Sequence, residues 1–569
     1  MDFEAVKVSK AALPDLADKR RQEVKPDQDR VEAALRALGG HDFGRMEWFN
    51  YIAATLPAGA FAAAEKIAGV KNLLIADAKP SQAGYSGNES RVRTLDSALI
   101  SANFDGRAFS RTSTTNRVKL GILEFDCANP RTNLVNRSHA VFRDTSSLSS
   151  LNRVVGRFIC SGGVCSASTL NGGNTHATWV SWVAAGSIEQ GQDSNFTGAG
   201  TTAQRDHSGL SRETTMNVYS VCDCTDISAA LNRAITDGVD ITNWSFRTSD
   251  CQGGNLDCGG INSALAATQE AGIVNVVAAG NPGSYSANSC NAQYPSWRPE
   301  VIGVNGLDSS NPAQDYNTRA LVDGCSARGG VPIQLFTGLS PTMAGIGITA
   351  PAIYRLSAAS GTNTYNAGDI CGTSFATPTI TGITANMRNA LNSVGFPGND
   401  ARILRDFVLI MGDSWDGNQD GTVKNATSVS LFSGSGRVHA HWPGQPGLVA
   451  PVAWGWRYFG INQGESVSWT VGDAGPETGT TQWKMMLSWD EPDLSSAADI
   501  DVTIVDTCPP GGGTQIVASQ LDYDIRNRFQ LRNISAKCLE VRVQGFNVPP
   551  GGRSVHAVYY RHGGNPDQH

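Results

Sequence analysis

Ser374 sits in the run Gly372-Thr373-Ser374-Phe375-Ala376-Thr377-Pro378, and the apolar residues behind it, Ile380, Ile383, Met387 and Leu391, recur at helical spacing. The spacing predicts a serine at the N-terminus of a helix, just past a polar loop over Asn366 to Ile370. There the free backbone N–H groups and the positive end of the helix dipole favour an oxyanion beside the hydroxyl. Such a serine needs a base. Of nine histidines, His176 stands in the suggestive setting, heading Ala177-Thr178-Trp179-Val180-Ser181-Trp182-Val183-Ala184-Ala185-Gly186. A third segment, Val276 to Gly283, reads as a strand ending in Gly280 and Asn281, and a fourth, Val118 to Asp126, is an apolar run carrying Glu124 and Asp126.

In this order the segments resemble the subtilisin-like serine peptidases, the subtilase family, whose histidine opens a helix of the form H-G-T-x-V-x-G. Ala177 replaces the glycine here, while Thr178, Val180 and Ala184-Ala185 fit. Tyr294-Pro295, Val301 to Val304 and Ala350-Pro351 also follow as they do in the family. The resemblance implies Ser374 as nucleophile, His176 as general base and Asn281 as an oxyanion donor beside the Ser374 N–H. In strict register Glu124 takes the place of the family's aspartate, and Leu134 falls where the family's loop has a leucine. Asp126 is the alternative acid, but choosing it would leave Glu124 unpaired in a central strand, and an unpaired buried carboxylate costs several kcal/mol. Asn243-Trp244-Ser245-Phe246-Arg247 resembles the family's N-x-S-x-G edge. It implies an extended peptide substrate laid along Ser245, Phe246 and Arg247, with Gly280 nearby, pairing by β-augmentation. Arg247 replaces the glycine, which leaves three readings open: a narrowed primary pocket, a preference for acidic side chains, or a side chain turned to solvent.

The elements that must position these groups follow from the pattern. A chain of 569 residues exceeds one core, so several domains are expected. From about Arg117 to His441, short apolar strands (Leu120–Leu123, Asn217–Val221, Val239–Trp244, Ile273–Ala278, Val301–Val304) alternate with helical stretches (Ile227–Ala234, Ile261–Ala271). Runs of that kind are buried on both faces, which predicts an α/β fold with a parallel sheet flanked by helices over residues 117–445. After Pro443, alternation such as Val467 to Val471 and Ile500 to Val505 predicts a C-terminal β-sandwich over 446–569. Residues 1–80 read as a small α+β unit with a helix from Asp29 to Leu38, strands Trp48–Leu56 and Val70–Ala76, and an alanine-rich helix between them. This unit is similar to a subtilase propeptide, a ferredoxin-like domain, although an opening strand is not obvious before Asp27. The resemblance then implies a zymogen that cuts itself within 81–116, with its own N-terminal unit as a partner occupying the cleft.

Composition narrows the remaining possibilities. A formal charge of -7 provides no basic surface, which removes nucleic acid as a partner, and no apolar run reaches the length of a membrane span. Twelve cysteines, with close spacings at Cys160/Cys165, Cys222/Cys224 and Cys251/Cys258, lack paired C-x-x-C zinc spacing and favour disulfides in an oxidising compartment. Cys508 and Cys538 fall together in the C-terminal segment. A secreted or otherwise extracytoplasmic location follows, with any signal peptide absent from this sequence. The chemistry requires no cofactor. Asp416-Gly417-Asn418-Gln419-Asp420-Gly421 offers oxygen ligands at alternate positions, as a structural calcium loop does, although Thr427 stands where an EF-hand has its glutamate. The aspartates of Asp499-Ile500-Asp501 resemble an acidic pair in C-terminal domains of secreted bacterial peptidases, and alternation alone would set them on the solvated face. The competing function classes are a catalytically inactive subtilase scaffold that binds peptides or surfaces, and a serine esterase.

Overall fold

The computed structural model describes residues 13–46, 50–70, 81–82, 117–131, 133–139, 142, 152–172, 176–186, 209–211, 213–247, 258–281, 292–307, 326, 331–332, 343–344, 348–358, 365–413, 435, 437–438, 449–471, 481–491, 498–509, 512–520, 526–534 and 538–563.

At the N-terminus, helix α1 (Leu13–Ala37) precedes an antiparallel hairpin of β1 (His41–Met46) and β2 (Tyr51–Thr55). The helix is longer than the predicted Asp29–Leu38 and carries Pro26 within it. Arg45 of β1 reaches back to Asp29 (2.6 Å) and Glu32 (2.8 Å), tying hairpin to helix. Next in the chain is β3 (Ser81–Gln82), followed by β4 (Lys119–Phe125), β5 (Val154–Ser161) and β6 (Val164–Ala167). The turn joining β5 to β6 is Gly162-Gly163, both at positive φ. Gly44 of β1 lies against this turn so closely that a Cβ there would come within 2.4 Å of the Gly162 carbonyl oxygen. Backbone meets backbone at this contact, and only glycine allows it.

The remaining strands of the central layer are β7 (Thr215–Val221), β8 (Ile241–Trp244), β9 (Phe246–Arg247), β10 (Val274–Ala278), β11 (Val301–Leu307), β12 (Ile348–Pro351), β13 (Gly412–Asp413) and β14 (Arg437–Val438). Ten of these strands form one sheet in the order β13-β14-β12-β11-β10-β8-β4-β7-β5-β6. Pairing is parallel from β14 through to β5, and an antiparallel strand closes each edge. Every residue of β7, β8, β10 and β11 is buried, because helices cover both faces. Along β4 the two-residue period sends Leu120 and Ile122 into the core shared with helices α2 (His176–Ala185) and α5 (Thr373–Ser393). Leu123 joins the opposite core with α3 (Cys224–Thr236) and α4 (Ile261–Glu270). The same period puts Glu124 on the α2 face, where the histidine helix begins.

After α6 (Ala401–Ile410) come eight antiparallel strands in two four-stranded sheets. One contains Val449–Ile461, Arg553–Gly563, Thr481–Trp489 and Arg526–Ile534, and the other Ser466–Thr470, Leu539–Asn547, Asp499–Asp506 and Gln515–Gln520. Facing apolar residues such as Trp483, Phe529, Ile500, Val502 and Val541 fill the space between them. Alternation alone sets Asp499 and Asp501 on the solvated face; Asp501 is part-exposed there, whereas Asp499, at the start of the strand, is buried.

This sandwich shares a core with the parallel-sheet domain. Phe407 of α6 stacks on Trp454 (5.2 Å between ring centroids), and Trp454 packs on Tyr560 (4.1 Å). At the same junction Arg405 donates to Asp406 (2.9 Å), Gln269 Oε1 (2.7 Å), the Pro299 carbonyl (2.7 Å), Ser488 Oγ (3.0 Å) and His556 Nε2 (2.7 Å). Since an arginine can only donate, Nε2 accepts, and neutral His556 carries its proton on Nδ1. Ser488 in turn donates to Asp406. Arg526, from the sandwich, donates to the carbonyls of Arg298, Pro299 and Val301 at 3.3, 2.6 and 2.9 Å. Lys484 pairs with Asp413, and Arg402 with Glu270 and Asp490.

Burial, reinforced by Arg405 and opposed by Asp406, holds the His556 pKa down to about 4 from its usual 6.5. The folded protein therefore keeps this imidazole neutral between those values, while the unfolded chain takes up a proton. Stability is full above pH 6.5 and falls as the pH drops toward 4, by about 3 kcal/mol from this group, since each tenfold difference in proton affinity is worth about 1.4 kcal/mol. Denaturant titration at stepped pH is expected to show that slope in the wild type and to lose most of it in His556→Gln.

Among the described residues every cysteine is disulfide-bonded, Cys371 included, and the described pairs are Cys127–Cys222, Cys160–Cys165, Cys224–Cys258 and Cys508–Cys538. Cys160 and Cys165 clamp the hairpin that Gly44 meets. Cys222 and Cys224, two positions apart, diverge to separate partners, the first joining the segments just past β4 and β7 and the second tying the start of α3 to Cys258. Cys251 lies outside the described residues. No described helix is long and apolar enough to cross a membrane.

Candidate active site

Glu124, near the C-terminal end of β4, is fully buried, and its Oε2 lies 2.7 Å from His176 Nδ1. A carboxylate accepts, so this contact fixes the proton on Nδ1 and leaves Nε2 as the basic nitrogen. Asp126 lies just beyond the strand and does other work. Its carboxylate accepts from the backbone N–H groups of Ala128 (2.9 Å) and Asn133 (2.5 Å), closing the loop after β4.

The His176 ring packs against Phe375, with centroids 5.7 Å apart, and Phe375 follows Ser374 at the start of α5. Ser374 is buried, in the second position of that helix, as the spacing predicts. Its Oγ donates to the carbonyl of Ser245 at 3.0 Å, while Ser245 Oγ donates to the Ser374 carbonyl at 2.8 Å. The second bond has its origin in the sequence. A helical Ser374 carbonyl would accept from the residue four positions on, which is Pro378 and has no N–H, so Ser245 supplies the missing donor. Ser374 and the segment between β8 and β9 are thereby joined directly.

Asn281 follows β10 and Gly280, whose φ of +101° belongs to the left-handed region and whose Cα faces the Gln293 side chain. Asn281 Oδ1 accepts from Thr373 N–H (2.9 Å) and from Thr373 Oγ1 (2.8 Å). A backbone N–H is an obligate donor, so the amide oxygen must face Thr373, and the Nδ2 group is turned the other way, with the Ser374 N–H one residue along. Phe246 is a core residue: its ring is buried and stacked on Trp244 at 6.3 Å. Of Ser245, Phe246 and Arg247, only the backbone of the last two forms an edge, and it is occupied. β3 pairs antiparallel with β9, Ser81 opposite Arg247 and Gln82 opposite Phe246.

Thus Glu124, His176, Asn281, Ser245 and Ser374 converge, and Asp126 stands aside from the imidazole. Asp416, Asn418 and Asp420 lie outside the described residues, and among the described residues no cluster of three or more His, Cys, Asp or Glu is placed to hold a metal. Sequence reasoning missed Asn133, which touches both Glu124 and the histidine helix. It also missed the hydroxyl contact of Ser245, which Pro378 signals.

A search of curated proteins finds no match. Residues 161–409 match the model of the Subtilase family, peptidase family S8. Solved structures that resemble the chain include the prenylagaramide maturation protease PagA, at 18% identity over 61% of this chain and 96% of that one, with a TM-score of 0.39. The patellamide maturation protease PatA is also among them, at 18% identity over 57% and 94%, with a TM-score of 0.37. Residues 161–409 of the chain are thus similar to the subtilase family of peptidases.

Proposed function

We propose that the chain is a subtilisin-like serine endopeptidase made as a self-processing zymogen, with Ser374 as nucleophile, His176 as base, Glu124 as acid, and Asn281 with the Ser374 N–H as oxyanion hole. One observation carries the reading: the buried 2.7 Å contact of Glu124 with His176 Nδ1, beside the helix that Ser374 opens. In this reading the Ser374 hydroxyl hydrogen leaves the Ser245 carbonyl for His176 Nε2 as Oγ attacks a peptide carbonyl. Glu124 stabilises the imidazolium, and Asn281 with the Ser374 N–H stabilises the oxyanion. His176 then protonates the leaving amine, and water hydrolyses the acyl-enzyme by the same route.

A peptide laid along Phe246–Arg247 as an added strand suits an endopeptidase better than an esterase. The pairing of β3 with that edge supports this, because an extended segment of the chain itself already lies there. The same pairing supports residues 1–80 as a propeptide whose tail holds the cleft, as does the seating of Gly44 on the Gly162-Gly163 turn. Residues 117–445 would then form the peptidase domain and 446–569 the sandwich. The disulfides favour a secreted product.

A fluorophosphonate probe is expected to label wild-type protein at Ser374 and to leave Ser374→Ala unlabelled. Intact-mass measurement is expected to show wild type shortened by a cut within 81–116 and Ser374→Ala at full length. Folded wild type that takes up no label overturns the peptidase reading; labelled protein that stays full length overturns the zymogen.

A further inference from the structure

We infer that Asn133 is a positioning residue that holds the Glu124 carboxylate and the His176 helix in one register. The inference rests on the proposed roles of Glu124 and His176. Asn133 Nδ2 donates to Glu124 Oε2 (3.3 Å) and to the Phe125 carbonyl (3.0 Å), and its Oδ1 accepts from the Ala177 N–H (3.0 Å). One amide thus bridges the end of β4 to the first turn of α2, capping an otherwise orphan helix N–H from outside the helix. His176 and Asn133 both approach the same carboxylate oxygen, Oε2, and among the described residues Oε1 has no partner. The orientation of the acid therefore depends on these two donors, and a carboxylate free to rotate would no longer hold the imidazole plane.

The residue is itself fixed from behind. Asp126 accepts the Asn133 backbone N–H at 2.5 Å, and the Asn136 N–H donates to Thr178 Oγ1 of α2 at 2.9 Å. Asp126 thus reaches the imidazole at two removes: it closes the loop, the loop presents Asn133, and Asn133 orients Glu124.

The test uses two variants of the full chain and a readout that does not depend on turnover. Asn133→Asp can still accept from Ala177 N–H but, as a carboxylate, cannot donate to Glu124, whereas Asn133→Leu does neither. In Ser374→Ala protein, the NMR signal of the His176 Nδ1 proton is expected to exchange with water at least about tenfold faster in both variants. In chains that retain Ser374, kcat per fluorophosphonate-titrated site is expected to fall about 10- to 100-fold in both, with KM changed less than about twofold. A residue that only capped the helix would leave Asn133→Asp like the parent, and an unchanged proton signal in that variant overturns the inference. If the parent proves to have no Ser374-dependent turnover, the peptidase reading fails while the proton signal still decides the role of Asn133.

Discussion

Glu124→Gln is expected to lower kcat on the order of 10⁴-fold while leaving the fold intact. The isosteric amide has two ways to sit against His176. It can turn its NH₂ to Nδ1, which moves the imidazole proton to Nε2 and leaves no base for Ser374. It can instead keep its oxygen there, which preserves the tautomer but removes the negative charge that stabilises the imidazolium. Both lose the transition state rather than the ground state, so KM is expected to change little. Asp126→Asn is the matched control. Among the described residues its carboxylate accepts from backbone N–H groups of its own loop, so the amide can retain an acceptor, and kcat is expected to stay within about tenfold of wild type. Steady-state kinetics on titrated active sites separate the two, and the reverse order of losses would make Asp126 the acid.

Arg405→Met is expected to destabilise the protein by about 3 to 5 kcal/mol, because it strands the buried Asp406 carboxylate at the junction between the two domains. All the guanidinium N–H groups have partners, drawn from α4, the segment before β11, α6 and two strands of the sandwich. The substitution carries a second signature. Arg405 is one of the groups that depress the His556 pKa, and Asp406 is one that raises it. Without the arginine, His556 can take up a proton and become the counter-ion of Asp406, which lies 3.3 Å from its Nε2. The variant is therefore expected to lose less stability on going from pH 7 to 5.5 than wild type does. Urea unfolding at both pH values measures the two effects together, and equal acid sensitivity would exclude the coupling.

The parallel sheet was legible because its strands are buried on both faces, so they read as apolar runs whatever their neighbours. The pairing of Glu124 with His176 was legible through the resemblance, whose register sets Glu124 in the acid's place, and through the cost of leaving a carboxylate unpaired in a central strand; parity along β4 could not separate it from Asp126, which shares it. β1 was missed because His41–Met46 is a half-exposed edge strand of mixed polarity, and the first part of α1 because the apolar residues at helical spacing begin only at Val31. Single polar residues in loops give no periodic signal, which hid Asn133. Arg405 and His556 are 151 positions apart, and nothing in their local sequence announces a shared site. Alternation described Asp501 and Thr503, which are part-exposed, and failed at Asp499, the first residue of the strand, which is buried.

The sandwich's hold on the carbonyls of Arg298, Pro299 and Val301, and on α6 through its last strand, has a temporal consequence. A ribosome releases the chain from its N-terminus, so the Arg298–Val301 segment and α6 must wait for residues as late as Tyr560 before their packing is complete. The N-terminal unit and the edge it covers exist long before that moment. In the proposed reading, competence for cleavage is thereby tied to synthesis of the strand Arg553–Gly563, and a chain truncated ahead of that strand is expected to remain inert toward its neighbours and itself.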